Sequence, residues 1–63
     1  MYNYKAFEKL LESRGITIYR VATDTGINKA TLYEWKNGNY TPKIDKILKI
    51  AKYFNVPIEV FIE

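Results

Sequence analysis

The chain has 63 residues, 10 basic against 7 acidic side chains for a formal charge of +3 at pH 7, and neither cysteine nor histidine. This composition excludes a disulfide framework and a thiolate or imidazole metal site, and it removes the commonest general base. We therefore expect that the protein is not an enzyme and that it binds neither a metal nor a cofactor. The length favours one small domain, 1–63, and a hydrophobic fraction of 48% is typical of a globular protein.

Neither a membrane-spanning nor a secretory segment is indicated by the sequence. No apolar run approaches the roughly 20 residues that a bilayer-crossing helix needs, and no signal-peptide pattern is present. We expect a cytoplasmic protein, prokaryotic or phage-encoded, without membrane contact and without a small-molecule ligand. Positive charge is concentrated in the second half, at Lys29, Lys36, Lys43, Lys46, Lys49 and Lys52.

The first pattern in chain order is helical. Tyr4, Phe7, Leu10 and Leu11 fall on one face of a helix, and charged residues lie between them. Gly15 can end this helix in the left-handed conformation. Residues 1–3 show no pattern, so we expect a frayed start.

Residues 17–37 predict two short helices joined by a tight turn. Thr17 and Asn28 are good N-cap residues, Gly26 can turn the chain between the helices, and Gly38 can close the second one. Apolar side chains recur at the spacing of one buried helical face, and the small side chain of Ala22 allows two helices to cross closely. These apolar positions are Val21, Ala22, Ile27, Leu32 and Trp35. Together the features indicate a helix-turn-helix.

The second helix of this motif has two distinct faces. Leu32 and Trp35 point one way, towards a core. The opposite face carries Lys29, Ala30, Tyr33, Glu34 and Asn37. Such a face is what a helix in the major groove presents to base edges, although the solvated outer face of an ordinary small bundle has the same pattern.

The remainder predicts a loop and two further helices. Thr41 can cap a helix that starts at Pro42 and runs to Phe54, and a short last helix begins near Pro57. The expected apolar face comprises Ile44, Ile47, Leu48, Ala51 and Phe54, with Ile50 at its margin. Lys43, Lys46, Lys49 and Lys52 recur every third residue, so they spiral around the helix and do not form one DNA-facing row.

From the motif onwards the sequence resembles the Cro/repressor type of helix-turn-helix, the lambda-repressor-like (XRE) family. The resemblance covers roughly residues 7–62. It rests on the motif and on the Trp-Lys-Asn-Gly segment at 35–38, Pro42, the Ile-Leu-Lys-Ile-Ala segment at 47–51, the Phe-Asn-Val-Pro segment at 54–57, Val60 and Phe61. Two positions depart from the family: Thr25 replaces an apolar residue before the turn, and Lys36 replaces a common acid.

The resemblance implies an all-α, compact bundle of about five short helices that regulates transcription by binding double-stranded DNA. Lys29, Ala30, Tyr33 and Glu34 are the expected base-reading residues in the major groove. The expected phosphate contacts are Thr17, Asn28, Lys36, Asn37, Tyr40 and Lys43. Alternative roles remain for others nearby: Tyr40 can lie on the core edge, Tyr19 can cover the end of the first helix, and Arg20 can pair with Asp24.

The C-terminal segment holds more apolar residues than one face of a short helix can bury, which indicates a self-association surface. Ile58, Phe61 and Ile62 are the expected dimer interface, and a dimer would read a two-fold symmetric operator as a phage-type repressor does. An exposed patch without a partner is the simpler alternative. A different class of function also fits: a protein-interaction module, antitoxin- or antirepressor-like, on the same fold.

Overall fold

The computed structural model describes residues 2–62, which form four α-helices and a terminal 3-10 helix. The α-helices are α1 (Tyr4–Arg14), α2 (Ile18–Thr25), α3 (Lys29–Lys36) and α4 (Ile44–Phe54), and the 3-10 helix is Ile58–Phe61. The all-α bundle of about five short helices is confirmed. Within the described residues, no helix is long and apolar enough to cross a bilayer.

Local signals set both ends of α2 and the start of α3 as the sequence predicted. The Thr17 hydroxyl oxygen accepts a hydrogen bond from the Arg20 amide at 3.1 Å, and Asn28 Oδ1 accepts from the Ala30 amide at 2.8 Å. Each bond satisfies one of the free amides in a first helical turn. Gly26 ends α2 at φ 78°, a left-handed conformation that glycine adopts without strain.

Aromatic side chains form the centre of the core. The Phe7 ring stacks on Trp35 with centroids 5.3 Å apart and meets the Phe54 ring edge-on at 6.0 Å. α1 therefore contacts both the second motif helix and α4. Around this centre lie the remaining buried apolar residues, which are Leu11, Ile18, Val21, Ala22, Ile27, Leu32, Ile47, Ile50, Ala51 and Phe61.

The start of α4 differs from the prediction. Lys43, not Thr41, is the N-cap residue, and it makes no side-chain capping bond. Pro42 is fully buried and precedes the helix by two residues. Pro42 is well suited to a first helical turn, but here it lies before the helix and its ring is buried.

The buried face of α4 is also turned relative to the prediction. Ile50 is fully buried, whereas Ile44 and Leu48 are 56% and 49% exposed. The buried set is Ile47, Ile50, Ala51 and Phe54. Its centre lies about 50° from that of the predicted face, at about 100° per residue.

Tyr2 and Asn3 are held by hydrogen bonds, contrary to the expected frayed start. Tyr2 forms an antiparallel bridge with Ile62, and the Asn3 amide donates to the Phe61 carbonyl at 2.7 Å. Asn3 Oδ1 also caps α1 by accepting from the Lys5 amide at 2.9 Å. Met1, the other residue of that expectation, lies outside the described residues. Residues 2–3 are thus paired with residues 61–62, which single-helix patterns could not predict.

Candidate nucleic-acid interface

The turn between α2 and α3 is held by side-chain as well as backbone hydrogen bonds. The Gly26 amide donates to the Ala22 carbonyl at 2.9 Å. The Thr25 hydroxyl donates to the Val21 carbonyl at 2.7 Å and accepts from the Ile27 amide at 3.3 Å. Thr25, which departs from the family pattern, therefore ties the end of α2 to the first residue after the turn.

Trp35 anchors α3 to the body of the domain. Only 4% of this side chain is exposed, and its ring stacks on Phe7 and meets Tyr4 edge-on at 5.4 Å. Its indole Nε1 donates to the Tyr2 carbonyl at 3.4 Å. Leu32, one turn earlier, is fully buried. With these two positions in the core, the opposite side of α3 has to face solvent.

That outward side carries all of the residues expected to read bases. Lys29 and Ala30, in the first turn of α3, are exposed, as are Tyr33 and Glu34 in the next turn. Tyr33 is 40% exposed. The face thus offers an ammonium donor, a methyl group, a hydroxyl and a carboxylate acceptor, a set able to distinguish base edges.

The two N-cap residues lie at the helix ends expected to contact phosphate. Both are exposed, and the oxygens of both are engaged in capping. The Thr17 hydroxyl proton and the two Asn28 Nδ2 protons are not needed for the caps. These donors, together with the positive ends of the helix dipoles, suit an anion.

The remaining candidates for phosphate contact lie at the end of α3 and in the segment leading to α4. Lys36, Asn37 and Lys43 are exposed, and Tyr40 is 45% exposed. Tyr40 is thus only partly packed on the domain. Lys43 stands at the N-terminus of α4, where its positive charge and the helix end would both attract a phosphate.

Arg20 takes the alternative role that the sequence left open. Its Nε donates to Asp24 Oδ2 at 2.8 Å, one helical turn away. The Tyr53 hydroxyl of α4 donates to the same oxygen at 2.6 Å. The hydrogen bond from Tyr53, followed by that from Arg20, lowers the pKa of the Asp24 carboxyl from its ordinary value. This cluster links α2 to α4, a role that sequence spacing alone did not indicate for Tyr53.

Tyr19, for which the sequence left open a place over the end of α1, lies against a candidate base-reading residue. It is 61% exposed, and the Lys29 ammonium nitrogen is 5.3 Å from the centre of its ring. This distance is that of a cation–π contact. No signal in the sequence pairs the two residues, because they belong to different helices.

The expected dimer residues separate into core and surface. Phe61 is fully buried, so its inclusion in an exposed interface is wrong. The Phe61 carbonyl also accepts the Asn3 hydrogen bond, and the side chain belongs to the core. Ile58 is partly buried against the core, whereas Ile62 is 51% and Val60 41% exposed.

Within residues 2–62, no group of three or more acidic, histidine or cysteine side chains is placed to hold a metal.

Comparison with known proteins agrees with this geometry. The family described as "Helix-turn-helix domain" matches residues 4–63, nearly the whole chain. The chain belongs to this helix-turn-helix family. The resemblance to Cro/repressor-type domains is thereby confirmed.

One curated relative of this helix-turn-helix domain is "HTH-type transcriptional regulator SutR" from Escherichia coli (strain K12). It is 34% identical over 55 residues, which cover 87% of this chain and 31% of the relative. The chain therefore spans about a third of the length of that protein. No solved structure matches the chain.

Proposed function

We propose that the chain is a sequence-specific DNA-binding transcriptional regulator, with α3 laid in the major groove. The observation that carries the proposal is the fixed orientation of α3. Trp35 and Leu32 are buried on one side of α3. The opposite, exposed side carries Lys29, Ala30, Tyr33 and Glu34. Membership of the helix-turn-helix family supports it, as does a relative named as a transcriptional regulator.

In this proposal each outward residue of α3 has a chemical role at a base edge. Lys29 donates to guanine O6 or N7, Glu34 accepts from cytosine N4, and Ala30 touches a thymine methyl. Tyr33 adds an apolar or hydroxyl contact. Each good contact contributes on the order of 1–3 kcal/mol of discrimination. Glu34 also rejects sequences that place only acceptors or phosphate beside it.

A second set of residues positions the domain on the sugar-phosphate backbone, without reading sequence. These are Thr17, Asn28, Lys36, Asn37, Tyr40 and Lys43, all at helix ends or in the segment between α3 and α4. Backbone contacts fix the register of a DNA-binding domain, and charged ones make its affinity depend on salt.

We further propose that 1–63 acts as one domain and binds a two-fold symmetric operator as a phage-type repressor dimer. Exposed Ile62, with neighbouring Val60 and partly buried Ile58, supplies an apolar surface for a second copy. A two-fold pair of domains matches half-sites about one helical turn apart. This function needs neither a catalytic group nor a cofactor, and it assigns the protein to the cytoplasm, with its DNA.

A protein-interaction module remains a second candidate, because α4 also exposes apolar surface. Ile44 and Leu48, one turn apart, are 56% and 49% exposed. An amphipathic partner could cover them. In that case, removing the positive charge of Lys29 or Lys43 would leave the biological activity unchanged.

The proposed function is tested by selecting sites from a random duplex library at about physiological salt. We expect a two-fold symmetric motif with half-sites about one helical turn apart. Lys29→Ala should select a motif that is degenerate at one or two positions of each half-site. Recovery of no motif, with weak binding that disappears as salt rises, would leave only phosphate attraction and overturn the proposal.

A further inference from the structure

The contact between Tyr19 and Lys29 lies outside the core of the domain. Tyr19 is the second residue of α2 and is 61% exposed, so its ring fills no part of the core. Lys29 is the first residue of α3 and is exposed as well. A cation at this position is disfavoured, because the free amides of a helix N-terminus carry partial positive charge. Yet its ammonium nitrogen lies 5.3 Å from the Tyr19 ring centre.

We propose that Tyr19 is a positioning residue that holds the Lys29 ammonium ready for base reading. The negative face of the ring attracts the ammonium and offsets the repulsion from the N-terminus of α3. A lysine side chain is flexible and loses this freedom when it binds, so prior restraint lowers the entropic cost of contact. The inference rests on the proposed function, because it assigns Tyr19 a part in that same site.

Restraint should also sharpen specificity. An ammonium on a free stem can reach acceptors on neighbouring base pairs, whereas one held beside a ring samples fewer of them. Removing the ring should therefore weaken discrimination at the base pair that Lys29 reads. It should leave discrimination at other positions, and affinity for unrelated DNA, nearly unchanged. A purely structural role for Tyr19 would instead lower affinity for all sequences through loss of folded protein.

The test is a double-mutant cycle of Tyr19→Leu and Lys29→Met, measured on the duplex selected by the wild type and on its single-base variants. Tyr19→Leu should reduce discrimination at the Lys29 position by about two- to fivefold, the range of an exposed cation–π contact. The double variant should match Lys29→Met alone. Tyr19→Phe, which keeps the ring, should retain the discrimination. Urea unfolding of each variant checks that it is folded.

The outcomes distinguish the positioning role of Tyr19 from the base-reading role of Lys29. If Lys29→Met changes base preference but Tyr19→Leu does not, or if the two effects simply add, the positioning role is wrong and the base-reading role stands. If Tyr19→Phe behaves like Tyr19→Leu, the hydroxyl and not the ring is responsible, which also overturns it. If Lys29→Met leaves base preference unchanged, both the positioning role and the base-reading role of Lys29 fail.

Discussion

Arg14, at the end of α1, caps the C-terminus of α4 through Phe54. Its Nη2 donates to the Phe54 carbonyl at 2.9 Å, and its guanidinium carbon lies 5.6 Å from the centre of the Phe54 ring. The last carbonyls of a helix lack partners within the helix and carry partial negative charge. One side chain therefore satisfies a helix end and connects α1 to α4 through two residues that are 40 positions apart in the sequence.

Replacing Arg14 should destabilise the domain. We expect Arg14→Gln to lower the free energy of unfolding by about 1–2 kcal/mol, from loss of a charged hydrogen bond and its attraction to the helix end. Urea unfolding followed by fluorescence of Trp35, the only tryptophan, measures this loss. Arg14→Lys keeps the positive charge but lacks the planar guanidinium, so its unfolding free energy should lie between those of the wild type and Arg14→Gln. Equal stability of all three proteins would show that the cap contributes nothing.

The Asp24 carboxylate should give the domain an acid-dependent component of stability. Because the pKa of Asp24 is lowered in the folded protein, the stabilisation is present above the ordinary value of 3.8 and is lost as pH falls through the folded-state pKa. Asp24→Asn should therefore lower the melting temperature at pH 7 and reduce the further decrease below about pH 4. The control is Glu12→Gln, an exposed acid in α1. If the difference in melting temperature between the wild type and Asp24→Asn were the same at every pH, this coupling would be contradicted.

Tyr53, in α4, should also contribute to stability through its hydrogen bond to Asp24. Its hydrogen bond to Asp24 raises the pKa of the Tyr53 hydroxyl, so the stabilisation is present below pH 10 and is lost as pH rises through the folded-state pKa. Tyr53→Phe should destabilise the wild type at pH 7 but hardly affect Asp24→Asn. Equal effects of Tyr53→Phe in both backgrounds would show that the two side chains act independently.

Phe61 and Ile62 are neighbours with opposite environments, so their variants should differ in kind. Phe61→Ala should cost about 3–5 kcal/mol of unfolding free energy through the cavity it leaves. Ile62→Ala should change stability by less than about 0.5 kcal/mol at concentrations where the chain is monomeric. If the proposed dimer forms, Ile62→Ala should weaken it in sedimentation equilibrium. A folded Phe61→Ala that had lost only self-association would return Phe61 to the interface.

Lys43 should affect every DNA sequence alike. Lys43→Ala should weaken binding to the selected and to unrelated duplexes by the same factor and reduce the salt slope by about one unit. Lys49→Ala removes the same charge from an exposed position within α4 and is the matched control. It should change the slope much less. Identical slopes for Lys43→Ala and Lys49→Ala would show that Lys43 contributes only net charge.

Features determined by local chemistry could be predicted from the sequence. The caps at Thr17 and Asn28 and the left-handed Gly26 each depend on residues within a few positions, and all three are present. The split of α3 into buried and exposed faces follows from helical periodicity in the same way. It is this split that brings the four expected base-reading residues to one surface.

Features that depend on tertiary packing could not be predicted in this way. The start of α4 was misassigned because a buried Pro42 and a first-turn proline look the same in sequence. The Arg14–Phe54, Tyr2–Ile62 and Tyr19–Lys29 contacts join separate elements, and no periodicity relates such residues. Phe61 was misplaced for a related reason: a short apolar segment does not indicate which of its residues the rest of the chain will cover.

The central claim is that the outward face of α3 reads the major groove, and it is tested most directly by removing single groove atoms. In the selected duplex, each purine in turn is replaced by its 7-deaza analogue, which lacks the N7 acceptor but keeps base pairing and the minor groove. We expect one substitution per half-site to weaken wild-type binding by about tenfold, which corresponds to about 1.4 kcal/mol, and to leave Lys29→Ala unaffected. If no substitution weakens wild-type binding, no purine N7 is contacted and the central claim is contradicted. If each substitution weakens both proteins equally, Lys29 is not the residue that reads N7.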